Sequence, residues 1–170
     1  VLFRSSVVVQ RTSEYDVEIA VTEREPLALV VTMSGDPVYV DKDAVLLPYR
    51  PLGQSKDIPL IRGLHASGSG FDSTGVHEVV SLLREMLATD GSTLYNDISE
   101  IVFEPGNRSF SFETSADGSK VVFGTFENHS EKILNLYSLR RATSSASQYG
   151  AASVIDVRWK DKVFVTKRVS

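Results

Sequence analysis

Val154–Lys167 reads VIDVRWKDKVFVTK, two runs of β-favouring residues on either side of a Lys160-Asp161 turn. In the second run Val163 and Val165 alternate with bulkier or polar residues, which is typical of a strand with one buried face. Because little of the chain follows, we expect this strand to lie at the edge of a sheet. An edge strand presents unpaired backbone N–H and C=O groups that can bind another chain. The stretch therefore favours a binding module over an enzyme.

The composition is that of a globular protein, with 42% hydrophobic and 24% charged residues in a chain of 170. A chain of this length can bury a core without a disulfide or a metal, as one domain or as one domain with a piece of another. The formal net charge of −4 gives no basic surface for nucleic acid, and no run of about 18 apolar residues is present to cross a membrane. The chain has no cysteine, which excludes disulfides, thiolate nucleophiles and cysteine-bound zinc.

Hydrophobic periodicity in the rest of the chain predicts many strands and two helices. Apolar and polar residues alternate over Tyr15–Thr22, as they do in a half-buried strand. Apolar residues recur at helical spacing over Val76–Ala88, with Thr74 as the predicted N-cap and Asp90-Gly91 as the stop. The other predicted elements are a helix from residue 128 or 130 to about 142 and strands over 7–11, 27–32, 38–40, 44–47, 58–61, 98–103, 109–113 and 120–126.

The order of these elements determines the predicted fold class. Strands outnumber helices and do not alternate with them one for one, unlike the elements of a doubly wound α/β fold. The sequence therefore predicts an α+β fold with a largely antiparallel β-sheet and two helices packed on it. Two polar stretches are rich in serine: His65–Gly75 is predicted to be a loop, and Thr143–Ser153 a fraying helix end followed by a loop.

No residue cluster predicts a catalytic, cofactor or metal site. The three histidines are His65, His77 and His129, and none is spaced from another as metal ligands are. Ser67 and Asp72 lie near His65 and supply the residue types of a hydrolytic triad, but all three belong to one predicted loop, which does not hold such geometry. The glycine-rich run beside them lacks the lysine of a phosphate-binding loop.

Four segments carry the motifs of one bacterial family, in that family's order. Val17–Ala28 is similar to a strand followed by Glu-Arg-x-Pro-x-Ala, and Val38–Pro48 to a Val-Asp-x-Asp/Glu-Gly-x-Leu-Phe hairpin, with Ala44 in place of the glycine. Ile58–Gly63 is similar to Leu-Pro-x-Leu-x-Gly, and Val154–Val165 to a terminal Ile-Asp-Leu-Arg-Tyr hairpin. Together they resemble the extracytoplasmic region of the cell-division protein family FtsQ/DivIB.

The resemblance implies a division of the chain into two parts. Residues 1–26 would be the C-terminal remnant of a POTRA domain, and residues 27–170 an FtsQ-like β domain. Because the chain begins with Val1, we expect it to be part of a longer protein whose cytoplasmic tail, transmembrane helix and remaining POTRA residues lie upstream. The first hairpin is then expected to expose an apolar face, where the rest of the POTRA domain packs.

The resemblance also implies a non-enzymatic scaffold of the cell-division machinery, without a cofactor. Such a protein is anchored in the inner membrane by a single helix, with this part on the periplasmic side, and binds partners of the FtsB (or DivIC) and FtsL type during septation. In the family the partner adds a strand to the terminal edge strand, beside the preceding helix. Carried onto this chain, the partner-binding residues are Arg140, Arg141, Trp159, Lys160, Val163, Phe164, Val165 and Lys167.

Two other functions remain open from the sequence. The first is another β-rich envelope or cell-surface domain that binds peptide or protein without a role in division. The second is a hydrolase whose catalytic residues Ser67 and His65 lie in a loop. It requires a rigid pocket around those side chains. An upstream basic tail, one apolar helix and a POTRA domain would favour the division scaffold, and a cleavable signal peptide the envelope domain.

Overall fold

The computed structural model describes residues 4–32, 35–50, 57–64, 66–67, 70–71, 73–89, 93–144 and 153–167. The helices are α1 (Ser73–Thr89), α2 (Thr93–Asn96) and α3 (His129–Ser144). The strands are β1 (Arg4–Arg11), β2 (Val17–Glu23), β3 (Pro26–Val31), β4 (Pro37–Asp41), β5 (Leu46–Pro48), β6 (Leu60–Arg62), β7 (Ala66–Ser67), β8 (Gly70–Phe71), β9 (Ile98–Glu104), β10 (Ser109–Thr114), β11 (Lys120–Thr125), β12 (Ser153–Asp156) and β13 (Phe164–Lys167).

Nine strands form one sheet in the order β13-β12-β11-β10-β9-β6-β3-β4-β5, while β1 with β2 and β7 with β8 form separate hairpins. Five of the eight neighbouring pairs in the large sheet are antiparallel. The other three, β3 with β6, β6 with β9 and β11 with β12, are parallel. Parallel neighbours need a long crossover, which α1 and α2 supply between β6 and β9, and α3 between β11 and β12. The predicted α+β class with a largely antiparallel sheet is confirmed.

The core lies between the helices and one face of the large sheet. The apolar stripe predicted for α1 is buried, with Val79, Leu83 and Met86 fully inaccessible. It packs in one cluster with the phenylalanines of β9, β10 and β11 and with Ile133 of α3. Burial of large apolar side chains on this scale is the main stabilising term for a chain without disulfides.

The described residues contain three helices instead of the predicted two, because α2 was missed. A four-residue helix is too short to show helical periodicity, so its sequence resembles a turn. Its residues Leu94 and Tyr95 are nonetheless buried, and the Tyr95 hydroxyl donates a hydrogen bond to the Leu27 carbonyl over 2.6 Å. The helix therefore ties the α1–β9 crossover to the start of β3.

Several predicted boundaries are corrected by the structure. Helix α1 begins at Ser73, so Thr74 lies in its first turn and is not the N-cap, and the predicted loop over 65–75 contains β7 and β8 as well. The Asp90-Gly91 stop and residues 145–152 of the second predicted loop lie outside the described residues. The terminal hairpin keeps its turn, where Asp161 has φ +57, but its strands are shorter than predicted.

Candidate functional site

Strand β13 lies at one end of the nine-stranded sheet, as the sequence predicted. It pairs antiparallel with β12, with Ile155 opposite Val165 and Asp156 opposite Phe164. No strand of the described residues lies along its other side. We call this outer side of β13 the open edge.

Backbone alternation identifies which groups face the open edge. The Val157 N–H donates to the Val122 carbonyl over 3.1 Å, so Val157 directs its backbone towards β11. Successive residues of a strand direct their N–H groups to opposite sides, so Asp156 directs its own towards β13 and pairs there with Phe164. The next residue of β13, Val165, therefore directs its N–H and C=O towards the open edge. These are the groups that an added strand would bind.

The side chains of β13 divide between the two faces of the sheet. Val165 is half-buried on the helix-covered face, opposite the core residue Ile155, and Val163 packs against the same core. Phe164 is 52% exposed on the other face, and Thr166 is exposed. A strand added to the open edge would therefore find apolar side chains of β13 on both faces of the sheet.

An aromatic pair stands at the beginning of the open edge. Trp159, 57% exposed, packs edge-on against Phe164 with 6.3 Å between the ring centroids. Tryptophan is among the residue types that most often dominate binding energy at protein interfaces. The structure thus places Trp159 beside Phe164 on one face of the sheet, with Val163 and Val165 on the other.

The loop that carries Trp159 is held by Asp156. Its carboxylate accepts hydrogen bonds from Arg158 Nε (3.0 Å), Arg158 Nη2 (2.7 Å) and the Arg158 backbone N–H (3.0 Å). The Arg158 bonds hold the pKa of Asp156 below its usual range, against the opposing effect of partial burial. Because Asp156 binds the backbone N–H two residues later, the chain turns away after β12, which explains the shorter strands of this hairpin.

Helix α3 supports the same loop from the covered face. The Asp161 backbone N–H donates to Glu131 Oε1 over 3.3 Å. Lys160 is exposed in the turn and lines a small cavity with Glu131 and Asn135 of α3. At the other end of β13, Lys167 is its last residue, opposite Ser153.

Arg140 lies on a different part of α3, away from the aromatic pair. Its guanidinium contacts Asp97 after α2 (2.8 Å) and Asp117 in the β10–β11 turn (3.0 Å). Burial opposes ionisation of Asp117, but hydrogen bonds from Thr114, Arg140 and Ser119 outweigh it and hold the pKa of Asp117 well below its usual value. Burial raises the pKa of Asp97, against the attraction of Arg140. Arg140 thus joins three elements of the fold.

Arg141 is exposed and faces the α2 side. Its Nη1 lies 3.3 Å from the Tyr137 hydroxyl, and its guanidinium carbon lies 5.8 Å from the centroid of that ring. Arg140, Arg141 and Tyr137 line a cavity of about 560 Å³ together with residues of α2 and the β10–β11 turn. No described contact joins either arginine to Trp159 or Phe164.

Two residues important for this site were not identified from the sequence. Asp156 and Glu131 hold the loop, yet the sequence analysis assigned neither residue a role at this site. The Asp-x-Arg spacing at the end of a predicted strand was the available signal for Asp156, since a carboxylate there can bind a backbone N–H two residues on. Glu131 left no such signal, because its contact is 30 residues away in sequence.

The histidines that the structure describes are either packed against a neighbour or exposed. His129 pairs with Glu85 (3.1 Å) and stacks on Phe126, which is a packing role, and His77 is exposed on α1. His65 and Asp72 lie outside the described residues, as does the Ser67 side chain. No group of three or more histidine or carboxylate side chains is arranged to hold a metal in the part of the chain that is described. None of the described helices has the length and apolar character needed to span a membrane.

Comparison with known proteins identifies relatives of this sheet. A family model described as FtsQ/DivIB, C-terminal related, matches residues 25–166, which begin just before β3 and leave β1 and β2 outside. The chain is also 29% identical over 154 residues to a protein named cell division protein FtsQ from Salinibacter ruber (strain DSM 13855 / M31). That alignment covers 88% of this chain and 59% of the relative, so the chain spans less than two thirds of the relative's length.

Proposed function

Since the chain belongs to the FtsQ/DivIB C-terminal related family, we propose that it is a non-enzymatic scaffold of the cell-division machinery whose open edge binds a partner strand. Membership of the family supports a cell-division role in general. The partners proposed here are proteins of the FtsB (or DivIC) and FtsL type, bound during septum formation. The proposal places the chain on the periplasmic side of the inner membrane, anchored by one helix upstream.

The observation that carries this proposal is the open edge of β13. It combines an outward-facing Val165 backbone, half-buried valines and an exposed aromatic pair within one short strand and its loop. Strand addition takes its affinity from main-chain hydrogen bonds and its specificity from alternate side chains. In this scheme Trp159 and Phe164 contact the partner on one face of the sheet, Val163 and Val165 on the other, and Lys160 and Lys167 at the two ends. Arg141 offers a second, exposed contact, and Arg140 holds the helix beside it.

Val165→Pro tests the proposal at the open edge. Proline removes the Val165 N–H, which faces outward, so the ladder between β13 and β12 keeps its hydrogen bonds. We expect the variant to fold, by circular dichroism, and to bind the periplasmic segment of the FtsB-like partner at least about tenfold more weakly, a loss of about 1.4 kcal/mol. Isothermal titration calorimetry measures the affinity.

The matched control is Val165→Ala, which shortens the side chain and keeps the N–H. Its affinity should lie closer to that of the wild type than to that of the proline variant. Equal losses in both variants would assign the contact to the side chain and contradict backbone pairing. A folded wild type that does not bind the segment would favour an envelope domain with another partner.

We further propose that residues 1–26 complete a POTRA domain and that residues 27–170 form the β domain. Two features support this division: the hairpin β1–β2 is a separate sheet, and it carries an unusual apolar face. Register places Val7 opposite Val21 and Val9 opposite Ile19 on that face. Their side chains are between 45% and 62% exposed, as a face awaiting its covering layer would be.

Cysteine labelling tests the domain division and the location together, because the chain has no cysteine of its own. In spheroplasts carrying the complete protein, Val9→Cys should resist a membrane-impermeant thiol reagent, since the POTRA domain covers that face. Gln10→Cys, on the opposite face of the same strand, should react. Equal labelling of both would contradict the domain proposal, and labelling of Gln10→Cys only after lysis would contradict the periplasmic location.

A further inference from the structure

We propose that Asp156 and Gly124 are positioning residues that fix the Trp159–Phe164 pair in the geometry needed by an added strand. This inference rests on the proposed function and extends it from the residues that touch the partner to those that hold them. Neither residue belongs to the set predicted to contact the partner. Both act through Arg158 and the loop between β12 and β13.

Asp156 connects the loop that carries Trp159 to the strand that carries Phe164. It lies opposite Phe164 in the ladder, so its carboxylate and the Phe164 ring share one face of the sheet. The same carboxylate binds both the guanidinium and the backbone N–H of Arg158, the residue before Trp159. Trp159 therefore directly follows a residue whose backbone and side chain are both held by Asp156, while its ring packs edge-on against Phe164.

Gly124 provides the surface on which Arg158 lies. Strand β11 is irregular where it passes Phe110 and Ser111, and Gly124 sits there with φ +76. A Cβ at this position would lie 2.8 Å from Arg158 Cγ and 3.2 Å from Arg158 Cδ. Only glycine lets the stem of Arg158 pass so close to the backbone of β11 while its guanidinium reaches Asp156.

The arrangement matters for binding because the aromatic pair is exposed. Exposed side chains must be ordered when a partner binds, and that ordering weakens association unless they are already held in the bound geometry. Asp156 and Gly124 supply this order in the free protein. Their loss should weaken binding even though neither need touch the partner strand.

Asp156→Asn tests the inference first without any partner. Trp159 is the single tryptophan of the chain, so its fluorescence reports on this loop alone. Asparagine keeps only one of the two oxygens that bind Arg158 Nε and Nη2, so the loop is held less firmly. Acrylamide quenching of Trp159 fluorescence should therefore rise, and the anisotropy of that fluorescence should fall. Gly124→Ala should produce the same change, whereas Gly118→Ala, at a positive φ of +64 with open space around it, should not. Unchanged quenching in both Asp156→Asn and Gly124→Ala would overturn the inference.

Binding of the FtsB-like periplasmic segment then shows that the effect passes through Trp159. Asp156→Asn should weaken binding about three- to tenfold in the wild-type background and have little effect in a Trp159→Ala background. A loss of the same size in both backgrounds would mean that Asp156 contacts the partner or supports the fold, which overturns the inference. If the wild type does not bind the segment, the proposed function fails, and the quenching result alone decides whether these residues hold Trp159.

Discussion

Gly63→Ala is expected to cost more than about 4 kcal/mol of unfolding free energy, enough to leave a marginally stable chain unfolded. Gly63 follows β6 directly and has φ +88. A Cβ there would lie 1.9 Å from the Phe103 carbonyl oxygen and 2.9 Å from its carbonyl carbon. Backbone atoms cannot move aside as a flexible side chain can, so the clash must displace a whole strand.

The strand in question has little freedom to move. Phe103 belongs to β9, which pairs with β6 on one side and β10 on the other, and its side chain is buried in the core. Moving β9 would break ladder hydrogen bonds and open space around the phenylalanines. The glycine that ends the Ile58–Gly63 motif is thus explained by a close approach of two backbones, in addition to its positive φ.

Gly35→Ala separates these two causes. Gly35 has almost the same φ, +89, but no atom lies within 4 Å of the position of its added Cβ. Its alanine variant should lose only the backbone cost of a left-handed residue, about 1–2 kcal/mol. Urea denaturation followed by circular dichroism compares the two variants. Similar losses in both would mean that the approach to Phe103 is relieved at little cost, contrary to the prediction.

Local patterns in the sequence were sufficient to predict much of this fold. The stripe of α1 and the run of strands β9, β10 and β11 depend on residue spacing and turn residues within short segments, and both are present as predicted. The insertion of β6 between β3 and β9 could not be predicted in the same way. Its three residues pair in parallel with strands about 30 and 40 residues away, and no local signal specifies such pairing.

The candidate site also contains some residues that the sequence could place and others that it could not. Trp159, Phe164 and Val165 are neighbours in sequence, so a hairpin prediction already placed them together. The directions of Arg140 and Arg141 depend on where α3 packs, and the structure turns both towards α2 and the β10–β11 turn. The contacts of Gly124 and Glu131 depend on elements meeting in space, which the sequence pattern does not record. Asp156 differs, because it binds Arg158 two residues later and the Asp-x-Arg spacing was a local signal for it.

The β4–β5 turn shows how a strained residue can be tolerated. Ala44 occupies the position where the family motif has glycine, and it adopts φ +60. A left-handed alanine costs about 1–2 kcal/mol relative to glycine. The Ala44 N–H still donates to the Asp41 carbonyl over 3.1 Å, and Asp41 and Val45 pair across the turn. A strained turn of this kind depends strongly on the side chain that holds it.

That side chain is Asp41, and Asp41→Ala is expected to lower the unfolding free energy by about 3–4 kcal/mol. Only 2% of Asp41 is exposed. Its Oδ1 accepts hydrogen bonds from the backbone N–H groups of Asp43 (2.9 Å) and Val45 (2.8 Å), and its Oδ2 pairs with Arg24. Alanine would leave two backbone donors and a mostly buried guanidinium without this partner.

Asp43→Ala is the matched control, because it makes the same chemical change two residues later in the same turn. Asp43 is 53% exposed and lies 3.4 Å from the same Arg24 nitrogen, so its loss should cost less than about 1 kcal/mol. Thermal and urea unfolding of the two variants give the comparison. A small effect of Asp41→Ala would show that water satisfies the freed groups and that Arg24 does not depend on this carboxylate. A large loss of unfolding free energy would identify Asp41 as the residue that fixes the first hairpin to the sheet, because Arg24 lies in the link between β2 and β3.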